Sequence, residues 1–150
     1  MVGEGGKGRK SSGGVGAAPG SGTVLLAVAA GGALGSVLRV LVGWWAVALL
    51  GAAFPWGTLA VNLSGSLALG FLDARLPPAP NAPWRAFAIP GFCGGFTTFS
   101  AFGVETVFLL EAGRGGSAVA YVVVSALLCL MGVLAGGALA RGRPGPGSIG

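Results

Sequence analysis

Residues 117–140 contain not one charged side chain. That run is longer than the ~20 apolar residues with which an α-helix crosses a bilayer. Three further apolar segments precede it, at 23–50, 56–72 and 86–110, in a chain of only 150 residues. The composition agrees: 53% hydrophobic and 9% charged residues, with a mean hydropathy of +0.83, lie far from a soluble domain. The expectation is an all-α membrane protein with four transmembrane helices over residues 23–140. Basic, Gly-rich residues 1–22 and residues 141–150 are read as disordered tails.

Several classes of function fall away at once. There is no histidine, and Cys93 and Cys129 stand isolated in apolar runs, which removes the usual zinc, haem and Cys/His nucleophile sites. Two small buried thiols are the simpler reading. The formal charge of +5 does not mark a nucleic-acid surface, because Lys7, Arg9 and Lys10 sit in the tail and the other basic residues are scattered arginines. No nucleophile and base lie at matching depth, so an enzyme is not expected. The tail and the apolar run after it imitate a secretory signal, but the run is too long and continues through Arg39 into Trp44 and Trp45.

Each span carries something that lipid alone does not explain. In the first, Gly31, Gly35 and Arg39 share one helical stripe, with the glycines suited to close packing. Arg39 is costly in an apolar run unless it snorkels or is paired, and it serves either as an anchor or as an attractor of anions. Pro55 and Trp56 open the second span, where Thr58, Asn62, Ser66 and Asp73 fall within about 80° of one another at helical spacing. Hydroxyls there act as interhelical glue, but the two-donor amide of Asn62 is costly to bury unused. Prolines at 77, 78, 80 and 83 form a stiff turn before Trp84 and Arg85.

The third span holds the densest signal, Gly91-Phe92-Cys93-Gly94-Gly95-Phe96-Thr97-Thr98-Phe99-Ser100-Ala101-Phe102-Gly103-Val104-Glu105. Pro90 lacks an amide donor and Gly94-Gly95 bend cheaply, which predicts a broken helix. In lipid such a break is tolerated only where protein or water satisfies the freed groups, so it points inward. Thr98, Phe102, Glu105 and Thr106 then form one stripe with Phe99 at its margin. In the fourth span Tyr121, Ser125 and Cys129 recur every four residues beside Gly132 and Gly136.

With four spans, Lys7, Arg9, Lys10, Arg75, Arg85, Arg141 and Arg143 share one side, seven basic residues against Arg114 and a snorkelling Arg39 on the other. The positive-inside tendency places both termini in the cytoplasm of a cell (plasma) membrane protein. Four short helices with separate polar stripes do not easily enclose a path, which predicts a dimer or larger.

Taken together, Gly31-Gly32-Ala33-Leu34-Gly35 with Arg39, residues 57–66 around Asn62, and residues 91–102 closely resemble the CrcB/Fluc family of fluoride channels. The resemblance covers about residues 23–140, and its third motif is highly specific. It implies four helices per subunit with the third broken, an antiparallel dimer, two fluoride pores at the subunit interface and a central structural sodium ion (Na+). It also implies release of toxic fluoride from a prokaryotic cell. By resemblance, Asn62 is the pore asparagine, and Phe99 and Phe102 are the rings lining the path, beside Thr98 and Ser100. Tyr121 and Ser125 match the polar track, Arg39 and Glu105 the charged pore mouths, and Gly94 and Thr97 the carbonyl ligands of sodium, with Phe96 the alternative to one of them. Ala101 and Cys129 depart from hydroxyl residues common in the family and thin the row of donors.

The physics is compatible. Ring edges are positive and can replace water around a small anion, while amide and hydroxyl donors direct it. The strong charge bias predicts pairing with an oppositely oriented paralogue rather than with a second copy. Two rival readings remain: a four-helix proton-coupled drug exporter, which needs a carboxylate deep in the first span where this chain has Arg39, and a non-conducting membrane scaffold.

Overall fold

The structure is a computed structural model that describes residues 20–79 and 81–142. It is all-helical, with no strand among these residues. Of the two tails expected from sequence, residues 1–19 and 143–150 lie outside the described residues, while Ser21, Gly22 and Arg141 are helical.

Helix α1 (Ser21–Leu50) ends at Gly51, whose φ of 79° suits glycine and whose amide donates to the Val47 carbonyl. Its 30 residues span about 45 Å, more than the hydrocarbon core of a bilayer requires. Helix α2 (Trp56–Arg75) stops where Leu76 turns extended, at ψ 134°, as a residue before proline prefers. Asp73 then pairs with Arg85 at 2.5 Å, and Arg85 also donates to the Leu76 carbonyl, which staples the proline turn.

The next segment starts as α3 (Pro83–Ala86), with proline in its first turn, and passes into a π-helical stretch, Phe87–Cys93, and then α4 (Gly94–Phe96). Thr97 and Thr98 are extended, and α5 (Phe99–Glu111) begins anew with the Thr98 hydroxyl accepting from the Ala101 amide at 3.2 Å. The departure from helix therefore falls later than Pro90 and Gly94-Gly95, where the sequence suggests it. The π-helical turns carry Pro90 without interrupting the helix, and Gly95 is used for close approach to α1, since a Cβ there would collide with the Gly32 backbone. Helix α6 (Gly115–Arg141) follows a turn at Gly113, φ 70°.

Three segments, Ser21–Leu50, Pro83–Glu111 and Gly115–Arg141, are long and apolar enough to cross a membrane. Helix α2 is not among them, because the polar stripe that it carries lowers its hydropathy. Helix α2 packs chiefly on α6, and α1 on the π-helical stretch. Both contacts are backbone to backbone: a Cβ on Gly35 would meet the Phe92 carbonyl and the Phe96 amide, and one on Gly136 the Leu67 carbonyl and the Phe71 amide. Large apolar side chains, Trp44, Trp45 and Leu130 among them, remain exposed. That exterior suits lipid rather than water.

Candidate functional site

The extended pair Thr97-Thr98 organises the polar interior. Its backbone needs partners that a helix would have supplied, and α2 provides them. Asn62 Nδ2 donates to the Thr98 carbonyl at 2.9 Å, and the Thr98 amide donates to Asn62 Oδ1 at 2.7 Å. One side chain thus satisfies both groups of one residue, and one amide proton of Asn62 is left over. Thr98 Oγ1 lies 3.2 Å from Ser100 Oγ. Gly65 lets α2 come this close, because a Cβ there would collide with Thr97 Cγ2.

The clasp has a consequence upstream. The Thr98 amide is committed to Asn62, so the Gly94 carbonyl loses the donor four residues ahead. Thr97, by contrast, returns both its amide (3.0 Å) and its hydroxyl (2.9 Å) to the Cys93 carbonyl. With ψ 158° its own carbonyl leaves the helix direction. No atom lies within 4 Å of a Cβ placed on Gly94, so this side is open. Carbonyl oxygens of this kind suit a hard cation, which needs more than two of them. Among the described residues no cluster of three His, Cys, Asp or Glu side chains offers an alternative metal site.

A second cluster lies beyond the first, on α2, α5 and α6. Glu105 accepts from Thr58 Oγ1 at 2.8 Å on one oxygen and from the Tyr121 hydroxyl at 2.8 Å on the other. Tyr121 is fully buried, and Phe102 packs on it with ring centroids 5.2 Å apart. Phe99 follows at 5.6 Å from Phe102. Phe99 is 84% exposed, so its ring faces away from the protomer. Thr106, on the same helix, donates its hydroxyl to the Phe102 carbonyl at 2.7 Å.

A cavity of about 260 Å³ adjoins the clasp, lined by Asn62, Thr97, Thr98, Phe99 and Cys129 among others. Ser125 is buried, and its hydroxyl has no hydrogen-bond partner among the described residues. Arg39 is half-buried on α1 and has no ion-pair partner among the described residues.

The residues singled out in the sequence therefore fall into groups. Asn62, Thr98 and Ser100 meet at the clasp, Phe99, Phe102, Tyr121 and Glu105 form a continuous run, and Gly94 and Thr97 sit at the end of α4. Arg39 joins none of these by a hydrogen bond. Thr58 belongs to the site although its hydroxyl reads as simple glue; its place four residues before Asn62 was the available signal. Phe54, in the loop between α1 and α2, carried no signal at all.

These features define a class: a multi-pass helical membrane protein with polar and aromatic groups gathered around an interruption in one helix. The model of the family described as "CrcB-like protein, Camphor Resistance (CrcB)" matches residues 26–137. The chain is 50% identical over 119 residues to the fluoride-specific ion channel FluC of Rhizobium meliloti (strain 1021), covering 78% of this chain and 95% of that relative. It is 47% identical over 116 residues to fluoride-specific ion channel FluC 1 of Nitrobacter hamburgensis, covering 76% and 92%. Against the fluoride-specific ion channel FluC of Rhodospirillum centenum it is 48% identical over 122 residues, covering 79% and 95%. The chain belongs to the CrcB-like family.

Proposed function

We propose that this protein is a fluoride-selective channel that lets cytoplasmic fluoride leave the cell and so lowers its toxicity. One observation carries the reading: the rings of Phe99, Phe102 and Tyr121 run on from the Asn62–Thr98 clasp along one protomer. A path walled by ring edges and fixed N–H and O–H donors favours a small, strongly hydrated anion over a cation. The donors are the free amide proton of Asn62, whichever of the Thr98 and Ser100 hydroxyls is not spent on the other, and the Ser125 hydroxyl, which has no partner among the described residues, while Tyr121, whose hydroxyl proton goes to Glu105, contributes its ring.

In this reading α2 is the fourth span, and α3 to α5 form one span of two half-helices. The path is completed by a second, antiparallel subunit, against which the exposed Phe99 ring packs. The charge bias favours an oppositely oriented paralogue as that subunit. Both termini lie in the cytoplasm. Arg39 and Glu105 flank the mouths, Arg39 drawing anions in. The carbonyls of Gly94 and Thr97 would hold a structural sodium ion shared with the second subunit, which when bound would supply a fixed positive charge there.

The test is fluoride efflux from liposomes holding the purified protein, followed with a fluoride electrode. Fluoride release without matching chloride release is expected. Absence of flux from intact, assembled protein would leave only a scaffold.

A further inference from the structure

We infer that Phe54 is a further residue of the anion path, a fourth ring that closes it at the α1–α2 loop and holds Tyr121 in place. The inference rests on the channel reading above.

Phe99, Phe102, Tyr121, Phe54 and Trp56 form one unbroken series of rings. Beyond Tyr121 the centroid separations are 5.5 Å to Phe54 and 4.6 Å from Phe54 to Trp56. Phe54 meets Tyr121 at 82°, an edge-to-face contact, whereas Phe99, Phe102 and Tyr121 are merely tilted to one another, at 37° and 44°. The Phe54 ring thereby fixes the plane of Tyr121, whose hydroxyl must reach Glu105.

Position adds to geometry. Phe54, Thr58 and Glu105 line a cavity of about 410 Å³ that Trp44, Trp56 and Arg114 border at the end of the helices. An anion passing between the buried rings and this cavity has to pass the Glu105 carboxylate, which repels it. Two features soften that barrier: each carboxylate oxygen already accepts a hydrogen bond, from Thr58 or from Tyr121, and the Phe54 ring, whose edge carries positive charge, lines the same cavity.

A loop is a poor platform for such a ring unless it is tethered. Arg114, from the α5–α6 turn, donates Nη1 to the Ala53 carbonyl, directly before Phe54. Arg114 is therefore a positioning residue that acts through Phe54.

The experiment uses the full chain in liposomes, in whatever assembly it purifies. Wild-type protein that releases no fluoride refutes the channel reading itself, separately from this inference. In a conducting protein, Phe54→Leu and Phe54→Met, each keeping an apolar bulk of similar size without a ring, should slow efflux roughly two- to tenfold. Phe54→Tyr, which keeps the ring edge, should retain the wild-type rate. Two apolar variants guard against a folding failure in one, with assembly checked by size-exclusion chromatography. Wild-type efflux from Phe54→Leu and Phe54→Met would overturn the inference, and so would a Phe54→Tyr as slow as they are. Arg114→Gln should slow efflux alone and add nothing to Phe54→Leu; additive losses would overturn its assignment.

Discussion

Replacing Asn62 with alanine removes both hydrogen bonds that hold Thr98 in its extended conformation. If water took over both groups, the loss would be that of two interhelical bonds in a membrane protein, about 1 kcal/mol together. If both stayed dry, two orphaned buried groups would cost about 2–6 kcal/mol. Thr98 is 7% exposed but lines a cavity of about 260 Å³, large enough to admit water, which points to the lower part of that range. A loss of ~2 kcal/mol changes the equilibrium between clasped and released Thr98 about thirtyfold. Fluoride efflux should therefore fall at least tenfold, that is by ~1.4 kcal/mol or more. Hydrogen exchange in the peptide spanning residues 96–100 should speed up in parallel. Wild-type efflux together with unchanged exchange would refute the clasp as the element that holds the path open.

Further outcomes follow from the same geometry. Phe99→Ile or Phe102→Ile should slow fluoride efflux while leaving assembly intact, and unchanged efflux in both would count against ring edges as the wall. Gly35→Ala sets a Cβ against the Phe92 carbonyl and 2.7 Å from the Phe96 amide, backbone that cannot swing aside, so thermal unfolding in detergent should show a loss of about 1–3 kcal/mol. Gly116→Ala, with nothing within 4 Å of its Cβ, is the neutral control. Exchanging sodium for a large organic cation should lower the temperature at which the proposed dimer dissociates, and no change would refute sodium as its structural ion. Reporters fused to the C-terminus should be active on the cytoplasmic face only; equal activity on both faces would replace the heterodimer with a dual-topology homodimer.

The α1 and α6 spans were legible from local pattern, because their apolar runs and terminal residues reflect properties of a single helix. The charged and proline-rich end of α2 was legible for the same reason. The family resemblance pointed to an interruption between Gly94 and Thr97, whereas proline and glycine chemistry alone placed it at Pro90 and Gly94-Gly95, before the extended Thr97-Thr98. Whether a glycine pair bends a helix or lets it press on a neighbour depends on that neighbour, and Gly95 lies against Gly32.

The sequence by itself determined the class of the protein, the helices, and the polar stripe with Asn62, Tyr121 and Ser125 on their inner faces. Periodicity assigns a face to a residue but not the partner it meets there. Only the tertiary structure decided that Asn62 clasps the backbone of Thr98, that Thr58 and Tyr121 share the carboxylate of Glu105, and that Phe54 closes the run of rings. Each of those contacts joins residues 16 or more positions apart, or a loop to a helix, and is set by how the helices cross.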